Sequence, residues 1–364
     1  MHLRLQCSLA KSEVGARYRF EVATPHVGFA QNHPAGELPS SPMQLSIVIT
    51  CWNDWKTIED CLRSIYDGTD SITFEIIVSD NGSTDGSSEF IRRNFPDVRI
   101  IDNGSNLGFA KGNNVGIRAA SGKYVLILNP DTVTQENALD RLVAFAEQHP
   151  EAGGFGCRIL NPDGTYQASA RLFPTLPRYW MAALGLRYLD PYLPFFTFEE
   201  YWNWHGDSER LIDWQSGCCV MFRGSVLREV GGFDEQFFYH FEEVDLCRRV
   251  WNAGFPIVFT PEATVIHLGG QSVSRFPIRF QLEKHKSRYR YFYKHFGPKA
   301  SRQCRLLSIT WIRMRQAAFA IIAVVRPADK VRERLKMYRV VARWNIELDP
   351  VRFVESGEEP PLTG

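Results

Sequence analysis

At 364 residues the chain is too long for one minimal domain and has room for one large α/β domain or two smaller ones. Hydrophobic residues at 44% and charged residues at 23% exclude wholesale disorder. A formal charge of +1 gives no global pull toward nucleic acid, but 19 Lys and Arg against three acids from Arg275 to Arg343 make that segment +16 and leave the rest at −15.

Residues 1–42 show no sustained period and end in the turn-rich stretch His33-Pro34-Ala35-Gly36 to Ser40-Ser41-Pro42, which predicts a loosely ordered extension. It has no apolar core long enough for a signal peptide. Order begins at Leu45-Ser46-Ile47-Val48-Ile49-Thr50, a short β-branched run that reads as a buried strand. Trp55, Ile58, Leu62 and Ile65 have helical spacing. A second strand over 74–79 ends in the polar turn Asp80-Asn81-Gly82-Ser83. A helix over 85–94, a strand over 98–101, a helix over 111–120 and a strand over 124–128 follow.

Strand–helix alternation with short connections predicts a doubly wound, mostly parallel sheet. Ligands bind such sheets at the carboxyl ends of the strands. The residues there are Thr50 with Asn53, Asp80 with Asn81, and Asn129-Pro130-Asp131. Neither a dinucleotide-binding G-x-G-x-x-G nor a P-loop is present.

The second half is less regular. Strands are expected over 154–159, 218–222 and 257–259, an aromatic-rich loop over 192–214, and a helix over 242–253. Residues 278–296 and 306–343 are basic with helical spacing. The longest uninterrupted apolar run, 317–325, is far short of the ~20 residues a spanning helix needs. No transmembrane helix and a cytoplasmic location are therefore expected. Eight cysteines without C-x-x-C spacing read as buried thiols, and Cys218-Cys219 as packing rather than a redox pair.

Three places carry candidate chemistry. Asp131 ends an apolar strand, where a carboxylate either holds a divalent ion against a diphosphate or caps a turn. Glu242-Glu243-Val244-Asp245 opens a helix, where acids either do chemistry or complement the helix dipole. For Asp245 the dipole reading is favoured, with Arg248 or Arg249 as partner. His267 stands at a strand end before Gly269-Gly270, placed either as a ligand or as a structural histidine.

Longer stretches resemble one family. Ile47-Val48-Ile49-Thr50, Ile76 through Ser87 (IIVSDNGSTDGS) and Asn106 through Gly116 (NLGFAKGNNVG) are similar to family 2 glycosyltransferases of the GT-A fold. Leu128-Asn129-Pro130-Asp131-Thr132 matches that family's D-x-D position as its rhamnosyltransferase-like branch writes it. Gly231-Gly232-Phe233-Asp234-Glu235 and Phe241 through Arg249 match the same branch's acceptor-side motif. The resemblance covers residues 43–275, with a nucleotide-sugar half over 43–150 and an acceptor half over 151–275. The basic helical segment, 276–345, and a tail, 346–364, lie outside it.

The resemblance implies that Thr50, Asn53, Asp80 and Asn81 line the base and ribose pocket. Gly108, Ala110, Asn113 and Asn129 would lie near ribose and diphosphate. Asp131 and His267 would ligate Mg²⁺ or Mn²⁺. Gly217 would border the acceptor, and Trp214 would either do so or pack in the core. Glu243 would be the catalytic base, with Glu242 as the alternative. Two departures stand out: Asn129 replaces the first Asp of D-x-D, and Glu243 stands where many relatives carry Asp.

The expected function is inverting, metal-dependent transfer of a sugar from a nucleotide donor. L-rhamnose from dTDP-rhamnose is favoured, with a saccharide acceptor, lipid-linked, in surface polysaccharide synthesis. A sugar-nucleotidyltransferase or a non-catalytic sugar-nucleotide-binding module are the alternatives. The basic segment reads either as a solvated face or as an in-plane helix on an anionic membrane surface. No nucleic-acid motif accompanies the charge.

Overall fold

Ile47, Val48 and Ile49 are all fully buried, so β1 (Leu45–Cys51) runs through the middle of a sheet covered on both faces. This is seen in a computed structural model that describes residues 42–184, 186, 199–201, 203–269, 277–325 and 329–361. The expected extension, apart from its last residue, and part of the aromatic-rich loop lie outside the described residues. Residues from Ser41 onward form one compact unit.

The remaining strands are β2 (Phe74–Asp80), β3 (Arg99–Asp102), β4 (Tyr124–Leu128), β5 (Thr132–Thr134), β6 (Gly154–Leu160), β7 (Ala170–Arg171), β8 (Arg210–Leu211), β9 (Trp214–Gln215), β10 (Cys219–Arg223) and β11 (Ile257–His267). Among the described residues the main sheet has nine strands in the order β3-β2-β1-β4-β10-β6-β11-β5, with β8 beside β11. β1 pairs parallel with β2 and β4, β2 with β3, and β6 with β11; β10, β5 and β8 pair antiparallel. The sheet is mostly parallel, as the alternation predicts. β7 and β9 form a separate pair.

Period-two alternation divides the core. Ile47 and Ile49 face α1 (Ile58–Asp67), α2 (Ser87–Asn94) and α4 (Ala138–Gln148) in one apolar cluster. Val48 belongs to the other, with α3 (Phe109–Ala119), α6 (Gly224–Val230) and α7 (Glu242–Asn252). α5 (Leu176–Ala183) lies on that second side. β11 is longer than the strand expected over 257–259: a register irregularity between Thr260 and Thr264 lets it continue to His267. Cys218 and Cys219 are both buried, and Cys219 packs against Cys157 with sulfurs 3.4 Å apart.

The basic C-terminal segment is four helices: α8 (Pro277–Phe296), α9 (Pro298–Val325), α10 (Asp329–Glu347) and α11 (Pro350–Ser356). α8 is not a solvated face. Leu282, His285, Tyr289 and Phe292 recur at three- and four-residue steps and are buried. α9 buries Cys304, Leu307, Ser308 and Ile312 against α8 and α10. The tail also joins the fold through Leu348 and Phe353, both buried. α9 departs from the expectation of no spanning-length helix. Pro298–Val324 is long and apolar enough to cross a membrane by length and composition. Arg313 and Arg315 stand before the apolar run over 317–325 without interrupting the helix.

Candidate active site

The carboxyl ends of β1, β2 and β4 open onto one cleft. It is lined by Thr50, Trp52, Asp54, Asn81, Asn106, Gly108, Phe109, Asn129, Pro130, Asp131, Phe238, Tyr239 and His267, and by Arg279, Phe280 and Glu283 of α8. Thr50, Asn81, Gly108, Asn129, Asp131 and His267 are thus brought together. Thr50 Oγ1 is buried without a hydrogen-bond partner among the described residues.

Other expected donor-side residues are placed behind the cleft. Asp80 is buried, and its carboxylate accepts from the Ser83 amide and hydroxyl and from the Ser88 hydroxyl, which fixes the turn after β2. Asn53 has φ 58°, and its Oδ1 accepts from the Thr84 amide at 2.8 Å. Ala110 and Asn113 are fully buried in α3, with the Asn113 Nδ2 donating to the Phe109 carbonyl. Gly108, at φ +82°, could not carry a side chain: a Cβ there would stand 2.7 Å from the Phe238 carbonyl oxygen. That close approach ties the start of α3 to the 237–241 loop.

Asp131 and His267 face each other across the ends of β4 and β11. His267 Nε2 lies 3.3 Å from Asp131 Oδ1, and its Nδ1 is 2.8 Å from Gln167 Oε1. The Leu268 amide donates to the Asp131 carbonyl and locks the two segments together. Burial opposes charge on His267 while the Cys218 sulfur and the Asp131 carboxylate beside it favour it, and a divalent cation held by Asp131 would take the place of that proton. Among the described residues no group of three or more His, Cys, Asp or Glu gathers around a point. One carboxylate and one imidazole oriented by an outer partner suit a hard divalent cation that takes its other ligands from a diphosphate and water.

In the segment expected to meet the acceptor, His240 and Phe241 are consecutive non-glycine residues at φ 64° and 70°. Such backbone costs on the order of 1–3 kcal/mol per residue and clusters at functional sites. Here it turns the chain so that Glu242 and Glu243 open α7. Each has one carboxylate oxygen, Oε2, buried without a hydrogen-bond partner among the described residues. Burial pushes Glu243 up to about 7, while amides at the helix start pull it down. Glu242 is raised further, by burial and then by the charge of Glu243. Neither lines the cleft wall directly. Tyr239 does, and its hydroxyl is within electrostatic reach of Glu242, Glu243 and Asp131. A Cβ on Gly217 would stand 3.2 Å from the Phe109 ring and 3.6 Å from Glu243 Cβ, so Gly217 also borders this point.

A family model described as "Glycosyl transferase family 2" matches residues 46–230, half of the chain. The chain belongs to glycosyl transferase family 2.

The match spans Asp131 and stops before α7. The N-acetylglucosaminyl-diphospho-decaprenol L-rhamnosyltransferase of Mycobacterium tuberculosis is 33% identical over 258 residues, covering 67% of this chain and 82% of that protein. Rhamnosyltransferase WbbL of Escherichia coli is 26% identical over 220 residues, 57% of this chain and 79% of its own. In fold the chain is similar to GalNAc-T7, whose crystal structure holds UDP, GalNAc and Mn²⁺, with TM-score 0.51 and 15% identity over 88% of this chain and 59% of that one. The protein is a glycosyltransferase of the GT-A fold, rhamnosyltransferase-like in sequence.

The acceptor-side motif of this glycosyltransferase has a structural explanation. Asn114 of α3 bonds the Phe233 amide and carbonyl at 2.9 and 2.8 Å. Gly232, at φ +69°, leaves room for that clamp, since a Cβ there would stand 2.7 Å from Asn114 Oδ1. The motif thereby docks the loop carrying Tyr239 onto α3. Trp214 is buried in the core, its indole N–H given to the Leu172 carbonyl at 3.0 Å, and packs rather than facing a ligand. Asp245 takes Arg249 as its partner at 2.8 Å, one of the two expected.

Sequence reading missed Asp54, Glu283 and the other α8 contributions. Burial, then the charges of Asp131 and Asp85, push Asp54 up to about 6, against the Trp52 amide it accepts from. Its signal was its place four residues after Thr50 at a strand end.

Proposed function

We propose that this glycosyltransferase moves L-rhamnose from dTDP-rhamnose to a hydroxyl of a lipid-linked saccharide, with inversion and with Mg²⁺ or Mn²⁺, in cell-surface polysaccharide synthesis. The observation that carries the reading is that Asp131, His267 and Tyr239 line one cleft and that Tyr239 stands on the loop leading into Glu242 and Glu243 at the start of α7. The names of the sequence relatives support the sugar and the lipid carrier.

Thr50, Asn81 and Gly108 would hold base and ribose, contributing orientation. A bound donor would give the buried Thr50 hydroxyl its missing partner. Asp131 and His267 would hold the divalent ion, which when bound neutralises charge on the departing diphosphate. Glu243 takes the proton of the acceptor hydroxyl while that oxygen forms its bond to the anomeric carbon from the face opposite the leaving group. The bond from the anomeric carbon to the diphosphate oxygen breaks, and its electron pair leaves with the nucleoside diphosphate.

Incubation with Mn²⁺, a saccharide-diphospho-prenol and a panel of nucleotide sugars, read as released nucleotide, tests this. Acceptor-dependent release from dTDP-rhamnose above all other donors is expected. Preference for another sugar nucleotide overturns the donor assignment. Asp131→Ala should weaken dTDP binding in Mn²⁺ but not in EDTA, and His267→Ala should do so more mildly. Equal weakening in both conditions would make the pair structural.

A lipid-linked acceptor places the enzyme at the cytoplasmic leaflet, and the α9–α10 hairpin is the surface we assign to the membrane. Its distal part exposes Met314, Ile321, Ile322 and Val324, the last at 84%. Exposed Lys330, Arg332, Arg334 and Lys336 stand on α10, and Arg334 lies over Phe319 of α9. Apolar groups beside cations fit an anionic lipid surface. Arg305 is half-buried and donates to the carbonyls of Asn345 and Ile346, while Arg315 is exposed and donates to the Tyr338 hydroxyl. Wild type should co-sediment with anionic vesicles, less at high salt, and Ile321→Glu with Val324→Glu should not. Indifference of the wild type to vesicle charge and salt would remove the membrane role.

A further inference from the structure

We propose that Arg171, Lys284 and Arg288 form an anion subsite beside Glu243 that takes the phosphate groups through which the acceptor saccharide is joined to its lipid. The proposal rests on the lipid-linked acceptor of the preceding section and adds where its charged link is held.

The subsite is built by α8. Phe280 lines the cleft, its ring 4.8 Å from that of Tyr239. Lys284 and Arg288 follow at successive four-residue steps and so continue the same stripe of the helix away from the cleft. The Ser287 hydroxyl, donated to the Tyr239 carbonyl at 2.9 Å, fixes α8 against the loop that precedes the base. The facing wall comes from β7 and α5. The Arg171 guanidinium lies 5.9 Å from the Trp214 ring, and the Arg288 guanidinium 5.0 Å from the Tyr179 ring.

The charges do not balance. Glu199 is buried and lies 3.8 Å from Arg171, a loose ion pair, and it also feels Lys284 and Arg288. Lys284 has no hydrogen bond or ion pair within contact distance among the described residues. The Nε of Arg288 is buried without a partner among them, and its Nη1 reaches only the Ser308 hydroxyl at 3.3 Å. Burial, then Arg288, depresses the Lys284 pKa to about 8, the mark of a cation short of counter-charge. Beyond Glu199, the carboxylate acting on Lys284 and Arg171 is Glu243 itself, which must give up its charge in each turnover. Arg171 keeps some water and donates its Nε to the Ala168 carbonyl at 3.0 Å, but half-buried cations with as few partners as Lys284 and Arg288 are costly unless a ligand completes them.

An oxyanion with several acceptor atoms meets that need. Guanidinium groups match phosphate geometry, and an ammonium serves as a point charge. The donor's own diphosphate belongs at Asp131 and His267, whereas Lys284 answers to Glu199 and Glu243. Phosphate held here would place the first sugar of a diphosphate-linked acceptor against the base.

The test compares one saccharide in two forms, on a short-chain prenyl diphosphate and as a neutral alkyl glycoside, with the full-length enzyme. Wild type should prefer the diphosphate-linked form in kcat/KM. Lys284→Met should lower the ratio of the two kcat/KM values about 10- to 100-fold, the scale of one charge-assisted hydrogen bond. Any effect transmitted through Glu243 is common to both acceptors and cancels in the ratio. Lys284→Arg should restore part of the preference. A wild type that does not prefer the diphosphate-linked acceptor overturns the proposal, as does a Lys284→Met enzyme with an unchanged ratio. Failure of the functional reading shows separately, as absence of wild-type transfer to either acceptor.

Discussion

Replacing Glu243 by Gln should cut sugar transfer by about 10²–10⁴-fold, the scale of a positioned general base, while nucleotide binding stays near wild type. The amide keeps shape and volume but cannot accept the acceptor's proton. The donor contacts proposed above are Thr50, Asp131 and their neighbours in the cleft, which Glu243 does not line, so binding of dTDP should not register the change. Glu242 is the necessary control. It is more deeply buried, and burial together with the charge of Glu243 favours its neutral form more than burial does for Glu243. A neutral acid cannot serve as base, so Glu242→Gln should keep most of the activity. The opposite outcome would move the assignment by one residue. The sign of the pH effect follows from the direction of the shift. Glu243 is raised to about 7, so the working, ionised form is lost as pH falls through that value. Wild-type kcat should therefore rise with pH to about 7 and then level, and the residual rate of Glu243→Gln should lack that limb.

What the sequence showed and hid follows from how far each signal reaches along the chain. β1, β2 and β4 are legible because a run such as Tyr124-Val125-Leu126-Ile127-Leu128 is buried on both faces and has no alternative place. The three residues of β5 are not, because their pairing with Val265 through His267 is decided by a partner far away in the chain. α8 was legible as a helix but not as part of the site. Its charge count drew attention from the stripe of Leu282, His285, Tyr289 and Phe292 that docks it, and only docking brings Phe280 and Glu283 to the cleft. The exchange of Asn53 for Asp54 has a local cause. The left-handed conformation at Asn53 turns its amide onto Thr84, and the next residue then lines the cleft. Family motifs marked the right segments, whereas which side chain in each segment faces the ligand depended on backbone angles that no period encodes.

Asp245→Ala should destabilise the fold by about 3–5 kcal/mol, the usual scale for breaking a buried ion pair from one side. Asp245 is fully buried and bridges two elements: Arg249 of its own helix at 2.8 Å, and Lys294 and His295 of α8 at 2.9 and 2.8 Å. Removing the carboxylate leaves Arg249 only its bonds to the Val230 and Gly232 carbonyls, takes from His295 its carboxylate partner, and unpins α8 from α7. Burial alone would raise the pKa of Asp245, but the His295 hydrogen bond, Arg249 and Lys294 overcome it and hold the group at about 2. A folded-state pKa below the unfolded one stabilises the protein above the unfolded value, near 3.9, and that contribution fades as pH falls toward 2. Urea denaturation at pH 7 should show the full gap between wild type and variant, and the gap should narrow below pH 4. A loss under about 1 kcal/mol at pH 7 would mean that water or a shifted side chain replaces the carboxylate, and that α8 is held by its apolar stripe alone. Because α7 begins with Glu242 and Glu243, the same loosening should also displace the base, so transfer by the still-folded variant should fall while dTDP binding does not.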